Sequence, residues 1–140
     1  MLEDNKRVVL DCWEAANRRD AAGFDNVYHE EVIYHGIDGD VRGREDVKAY
    51  LQRFLVALPD SKLTVEDIFG EEDRVFSRTR LQGTHLGEIN GIAPTGKTVD
   101  LRWIMNASRI RDGKIVEEWE ICDQLEILRQ LGVMKEPGPA

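Results

Sequence analysis

The residues best suited to chemistry lie on two neighbouring segments, 99–111 and 114–123, which Asp112-Gly113 joins. Both segments are rich in β-branched and aromatic residues, and Asp-Gly between two such runs predicts an antiparallel hairpin with a two-residue turn. That turn fixes which residues lie opposite each other. The predicted pairs are Ile110 with Ile115, Asn106 with Trp119, Ile104 with Ile121, and Arg102 with Asp123.

Side chains on one face of a strand recur at every second residue, so the pairing also predicts two faces. Glu118 and Glu120 are expected to point to water because carboxylates are rarely buried. On the returning strand the opposite face then carries one carboxylate, Asp123, among apolar side chains and across from an arginine of the preceding strand. Its predicted members are Asp100, Arg102, Ile104, Asn106, Trp119, Ile121 and Asp123.

A carboxylate on an apolar wall is costly unless it is paired or functional, which leaves two interpretations of Asp123. In the first it forms an ion pair with Arg102, or caps a helix that begins near Gln124. In the second it is a general base in a pocket, where desolvation raises its pKa and Arg102 lowers it. Such a base can remove a proton next to a carbonyl group.

Two histidines are further candidates. His35 ends the segment Val32–His35, which is predicted to be a strand, and it either makes a structural hydrogen bond or donates to a substrate carbonyl. His85 precedes a glycine-rich loop and either stabilises that turn or lines the pocket. No histidine pair has the spacing of metal ligands, so no metal site is predicted.

The elements that position these residues are predicted from hydrophobic periodicity. Helical spacing indicates helices near 3–19, 45–58 and 124–131, with a shorter one capped by Asp20. Alternating or β-branched runs indicate strands at 32–35, 63–69, 75–85, 99–111 and 114–123, whereas 36–43 is predicted to be a loop. Helices followed by a run of strands predict an α+β domain over residues 1–134, with a loose tail at 135–140.

The composition limits the classes of partner. The chain has 140 residues and a net charge of −8, so nucleic acid is a poor partner. Its start lacks the pattern of a signal peptide, and no apolar run is long enough to cross a membrane. We therefore expect a cytoplasmic protein. Cys12 and Cys122 are expected to be small buried residues rather than a disulfide.

Several segments together resemble the SnoaL-like family of polyketide and ester cyclases, within the nuclear transport factor 2-like fold. The likeness covers nearly the whole chain. It rests on Gly83–Gly87, Gly91–Lys97, Asp112–Ile115 with Glu118-Trp119, then Asp123, and finally Leu128–Gly132. The resemblance implies a cone-shaped, curved antiparallel sheet of the cystatin-like type, with N-terminal helices packed on its concave face. It also implies a deep pocket and a homodimer.

In characterised cyclases of this family, the resemblance implies an intramolecular aldol ring closure that uses no cofactor. An aspartate after the tryptophan-containing strand acts as acid and base, and Asp123 matches it by motif. The working hypothesis is therefore a cyclase or isomerase that acts on an apolar carbonyl compound. Asp123, Arg102 and His35 are its predicted catalytic residues, and His85, Asn106, Trp119, Ile104 and Ile121 are predicted to contact the substrate.

Two other functions stay open. An epoxide hydrolase of the limonene-epoxide hydrolase type, which resembles this fold, uses two aspartates around an arginine. Asp100, Arg102 and Asp123 form an approximate set of that kind on the predicted face. The other alternative is a binding or dimerisation domain without catalysis, in which Asp123 is only a helix cap or an ion-pair partner.

Overall fold

A computed structural model describes residues 1–134, and the predicted tail at 135–140 lies outside the described residues. Two helices, two strands and a third helix come first, and a run of four long strands and a short helix follow. The helices are α1 (Leu2–Arg18), α2 (Ala21–Val27), α3 (Arg44–Ala57) and α4 (Gln124–Gln130). The strands are β1 (Tyr28–Gly36), β2 (Gly39–Arg42), β3 (Lys62–Glu71), β4 (Arg74–Thr84), β5 (Thr98–Arg111) and β6 (Lys114–Cys122).

The six strands form one curved sheet in the order β2-β1-β6-β5-β4-β3. Neighbouring strands are antiparallel except β1 and β6, which are parallel. The predicted α+β class is thus confirmed, with one parallel pair in the sheet. The prediction of a loop over 36–43 was wrong at its end, because Gly39 turns the chain with a φ of 107° and β2 then pairs with β1.

Helices α1 and α3 cover one face of the sheet. Val9, Cys12 and Ala16 recur along α1 at helical spacing and are buried, as the sequence predicts. They pack with Val47 of α3 and Tyr34 of β1 in one hydrophobic cluster. Apolar burial between these layers supplies the main driving force for folding.

A bulge in β6 determines which of its side chains face the helices. Ile110 pairs with Ile115 as predicted, but Arg109 pairs with Glu117, so Val116 is an extra residue on β6. One extra residue reverses the alternation beyond it. Ile115 is buried under the helices, and the next inward residues are therefore Glu118, Glu120 and Cys122.

A second irregularity separates the two ends of β5. Leu81 pairs with Leu101, but Thr79 pairs with Ile104, so the spacing on β5 is one residue longer than on β4. Leu101 and Ile104 both face inward, whereas Arg102 and Trp103 between them are exposed. The single face predicted from Asp100 to Asn106 is therefore divided between the two sides of the sheet.

Asp123 ends the hairpin as the N-cap of α4. Its Oδ1 accepts a hydrogen bond from the backbone N–H of Glu126 at 3.0 Å. An N-cap side chain satisfies one of the free N–H groups at a helix start, which is the capping interpretation of this residue. Leu131, directly after α4, is buried and attaches this end of the chain to the sheet.

We predict that Asp123→Ala lowers the free energy of unfolding by about 1 kcal/mol, the typical loss when an N-cap oxygen is removed. Asp123→Ser is the matched control, because serine caps nearly as well. Urea unfolding followed by circular dichroism measures both. Equal stability of the alanine and serine variants would show that the cap contributes nothing.

Candidate active site

A cavity of about 130 Å³ lies between the helices and the sheet. Its walls are mostly apolar and include Trp13 of α1, Phe24 of α2 and Phe54 of α3. The indole N–H of Trp13 donates to Ser77 Oγ at 3.2 Å, which holds that ring in place. A cavity of this shape with a few polar groups is the usual form of a small-molecule site.

Glu118 lies in the floor of the cavity and is almost completely buried. Its carboxyl group accepts hydrogen bonds from the Tyr28 hydroxyl at 2.7 Å, from Asn106 Nδ2 at 3.0 Å and from Ser108 Oγ at 3.4 Å. Burial raises the pKa of Glu118, and the three donors oppose that rise. The group is a well-satisfied buried acid.

Glu120 lies two residues further along the same face of β6 and also lines the cavity. In contrast to Glu118, it has no hydrogen-bond partner among the side chains and backbone of residues 1–134. Desolvation raises the pKa of Glu120 from 4.5 to about 7. Near neutral pH the carboxyl group is therefore present in both its protonated and ionised forms.

The cavity opens near Glu120. Ile37, Glu120 and Cys122 line the cavity and also a shallow surface depression that extends to Asp123 and Leu125. The β1–β2 turn and the start of α4 thus flank the opening. Burial and the nearby acidic groups raise the pKa of the Cys122 thiol to about 11, so it is a poor nucleophile. Glu120 is left as the titratable group that a ligand meets when it enters.

Only two of the predicted site residues line the cavity. Ile104 and Asn106 face inward from β5, and Asn106 lies directly opposite Glu120 in the strand pairing. Trp119 and Ile121 lie on the outer face of the sheet, where they are 37% and 67% exposed. The prediction that they face the pocket was wrong, because the bulge at Val116 reverses the alternation of β6.

Three acidic or basic residues that were predicted to act together lie apart. Asp123 is exposed and caps α4, Arg102 is exposed on β5, and neither lines the cavity. Asp100 pairs with Arg80 through two hydrogen bonds of 2.9 and 2.7 Å, which lower the pKa of Asp100. The predicted Asp100–Arg102–Asp123 set of an epoxide hydrolase is therefore not assembled in the cavity.

His35 is also outside the cavity. Its Nδ1 lies 2.7 Å from Asp40 Oδ1, its Nε2 lies 2.8 Å from Glu117 Oε2, and its ring stacks on Trp119. The two carboxylates raise the pKa of His35. His35 thus ties β1, β2 and β6 together. It lies on the outer face because its neighbour Tyr34 takes the inward position on β1.

His85 is fully buried but does not line the cavity. Its Nδ1 accepts a hydrogen bond from the backbone N–H of Thr95 at 3.2 Å and lies 2.9 Å from Thr95 Oγ1. The backbone N–H of His85 donates to the carbonyl of Lys97 at 2.9 Å. This geometry matches the interpretation in which His85 stabilises the turn, and not the one in which it lines the pocket.

Two glutamates that were predicted to point to water, Glu118 and Glu120, face the cavity instead. A signal was present, since Glu118 and Glu120 alternate within a strand whose other residues include Ile115 and Trp119. It was assigned to the wrong face because a one-residue bulge leaves no mark in the local sequence. Within residues 1–134, histidine, cysteine, aspartate and glutamate form no group of three or more that could hold a metal ion. No helix of that part is long and apolar enough to cross a membrane.

Solved structures similar to this chain include three from Streptomyces species. AclR of Streptomyces galilaeus, a proposed hydroxylase, is 31% identical with a TM-score of 0.85, and the match covers 96% of this chain and all of AclR. IdmH of Streptomyces antibioticus, a proposed polyketide cyclase, is 32% identical with a TM-score of 0.80, covering 91% and 98%. TsrD of Streptomyces laurentii is 26% identical with a TM-score of 0.85, covering 94% and 97%.

No curated protein matches this sequence significantly. The family model described as SnoaL-like polyketide cyclase, by contrast, matches residues 5–131, which includes all six strands and both glutamates of the cavity. The helices and the curved mixed sheet also agree with the similar structures. The chain therefore belongs to the SnoaL-like polyketide cyclase family.

Proposed function

We propose that this protein is a cofactor-independent acid/base enzyme that acts on a small, mostly apolar carbonyl compound, with Glu120 as the proton-transferring group. The observation that carries the proposal is a carboxyl group without a hydrogen-bond partner among the described residues, in an apolar cavity, with a pKa of about 7. A general acid/base works best when its pKa lies near the working pH. Aldol-type cyclisation is the reaction we infer, in line with the family.

The proposed reaction needs one proton carrier. The Glu120 carboxylate removes a proton from the carbon next to a substrate carbonyl, and the electron pair of the C–H bond forms an enolate. The enolate carbon attacks a second carbonyl in the same molecule, and the resulting alkoxide takes the proton back from the Glu120 carboxylic acid. Atoms and charges balance without an external oxidant or reductant, and the enzyme returns to its ionised form.

Glu118 is less suited to this role, although it lies on the same face. Its three hydrogen-bond donors fill three of the roughly four acceptor sites of the carboxylate and stabilise its ionised form, which weakens it as a proton acceptor. We infer that Glu118 fixes the Asn106 side chain beside Glu120. This assigns the chemistry to one carboxyl group and the local rigidity to the other.

The family alone does not select the reaction. AclR and IdmH have nearly the same sequence identity to this chain, 31% and 32%, yet the activities proposed for them differ. A fold hosts different chemistries, so the choice has to come from the site. Acid/base chemistry is favoured here because Glu120 is the titratable group at the opening of the cavity whose pKa is close to neutral.

We predict that Glu120→Gln slows proton exchange by roughly 10²- to 10⁴-fold, the range expected when a general base is removed. Cyclohexanone in D₂O is a suitable probe, because loss of its α-proton signal by NMR reports enolisation directly. The glutamine variant keeps the size of the side chain but cannot accept the proton.

Glu117→Gln is the matched control, because it removes the same charge from the same strand on the outer face. We expect it to retain the exchange rate of the unmodified protein. If Glu120→Gln exchanges the α-protons as fast as Glu117→Gln does, Glu120 is not the base. Circular dichroism of both variants verifies that they are folded.

We further propose that the outer face of the sheet joins two copies of the chain. Four apolar side chains are exposed there: Trp103, Met105, Trp119 and Ile121. Met105 lies directly opposite Ile121 in the β5–β6 pairing, so the patch spans both strands. Exposed apolar patches mark interaction surfaces, and a two-fold dimer requires one patch that complements itself.

We predict that the purified protein sediments with twice the mass of one chain, and that Ile121→Lys shifts it to the monomer by placing a charge in the apolar contact. Val56→Lys is the control, since Val56 is exposed on α3, away from the sheet. Analytical ultracentrifugation distinguishes the outcomes. A monomeric parent protein, or a dimeric Ile121→Lys variant, would contradict this interface.

A further inference from the structure

The charged side chains that line the cavity are all acidic. Among residues 1–134 the lining side chains include two carboxyl groups, Glu118 and Glu120, but no lysine, arginine or histidine. Two guanidinium groups lie behind the wall, and neither arginine is among the lining residues. Arg19 Nη2 donates to Ser61 Oγ at 2.8 Å and to the Leu58 carbonyl at 2.9 Å. The Arg53 guanidinium lies 5.2 Å from the ring centre of Tyr50. An anionic ligand would therefore enter an apolar space with two acidic neighbours and no cationic lining residue, at a high desolvation cost.

The cavity wall is also unusually aromatic. Six aromatic side chains line it: Trp13, Phe24, Tyr28, Tyr34, Tyr50 and Phe54. Aromatic faces carry negative partial charge and attract cations, most strongly where water is excluded. Tyr34 and Tyr50 are in contact at 5.4 Å between ring centres, and Tyr50 contacts Phe54 at 5.2 Å, so several of these rings form one continuous surface.

Carboxyl groups surrounded by aromatic rings favour a cation over a neutral molecule of the same shape. A protonated amine would give Glu120 the partner that it lacks among the described residues, and the rings would contact its polarised N–H or N–CH groups. Apolar walls then accommodate the rest of the ligand. An acid of the same shape would be excluded by the same charges.

The volume sets a limit on ligand size. A cavity of about 130 Å³ is comparable to engineered cavities of roughly 150 Å³ that hold a benzene molecule. A compound of one ring with a short substituent fits this space, whereas a polycyclic compound would require α4 or the β1–β2 turn to move.

We propose that the cavity selects a small, single-ring ligand that carries a basic amine, and that it rejects carboxylates of the same size. This inference rests on the proposed function only because both take the same cavity as the substrate site. It narrows the carbonyl substrate to one that also has a protonated nitrogen, which contacts the aromatic wall and pairs with one oxygen of Glu120, so that the other oxygen stays free to take the substrate proton.

The test compares three probes of nearly equal size at pH 8: benzylamine, benzyl alcohol and benzoate. Isothermal titration calorimetry with the full-length protein should give at least tenfold tighter binding of benzylamine than of benzyl alcohol, with benzoate weakest. In Glu120→Gln the advantage of benzylamine should fall below threefold, while benzyl alcohol binds as before. In Glu117→Gln, which removes a charge outside the cavity, the tenfold preference should remain.

Equal binding of benzylamine and benzyl alcohol, tighter binding of benzoate, or no binding of any probe would overturn the ligand class. So would a preference for benzylamine that survives in Glu120→Gln. The cyclohexanone exchange assay is independent of these titrations. A loss of exchange in Glu120→Gln without an amine preference therefore rejects the ligand class and keeps the catalytic proposal, and the reverse result does the opposite.

Discussion

The extra residue in β6 determines the chemistry of the cavity. Without the bulge at Val116, the alternation that starts at Ile115 would turn Glu117 and Trp119 inward and leave both cavity carboxyl groups in water. The bulge costs a ladder hydrogen bond and a locally regular strand. In return, it places Glu118 and Glu120 under the helices, beside Asn106, in a mostly apolar cavity. The family's curved sheet supplies the frame, and this one irregularity decides which side chains reach the site.

Two neighbouring acids then acquire different properties from their surroundings. Donors surround Glu118, whereas no described residue donates to Glu120. Since the pKa of folded Glu120, about 7, exceeds its ordinary value of 4.5, the group contributes its full stability below pH 4.5. That contribution, on the order of 3 kcal/mol, is lost as the pH rises through 7. A residue that destabilises the ionised protein near neutral pH is more readily explained by function than by folding.

Much of the architecture could be predicted from sequence. Helical spacing located α1 and α3, and Asp112-Gly113 identified the β5–β6 hairpin and its first pair, Ile110 with Ile115. These features are local, so a short stretch of sequence determines them. The faces of the hairpin could not be predicted, because they depend on bulges that strand pairing and helix packing impose together. The parallel contact of β1 with β6 joins residues as distant in sequence as Tyr28 and Ile115, which local patterns do not report.

Most of the predicted site residues lie outside the cavity for a related reason. Assigning glutamates to water is a sound rule for most strands, and it breaks down where a buried carboxyl group has a function. Asp123 was selected because the predicted alternation placed it on the inward face, and the resemblance to the family added a motif match; its place at the start of α4 was one of two interpretations. Ile104 and Asn106 were assigned correctly to the cavity, since their phase on β5 depends only on residues on the hairpin side of the β5 irregularity.

The titration of the Glu120 carboxyl group tests the central claim most directly. Carboxyl carbon shifts of ¹³C-labelled glutamate, followed by NMR from pH 4 to 9, can be assigned to this residue by comparison with Glu120→Gln. The account predicts a midpoint near 7 for Glu120, well above the ordinary glutamate value of 4.5. A midpoint near 4.5 would show that the group is solvated or paired, and would contradict the proposed role of Glu120 as acid and base.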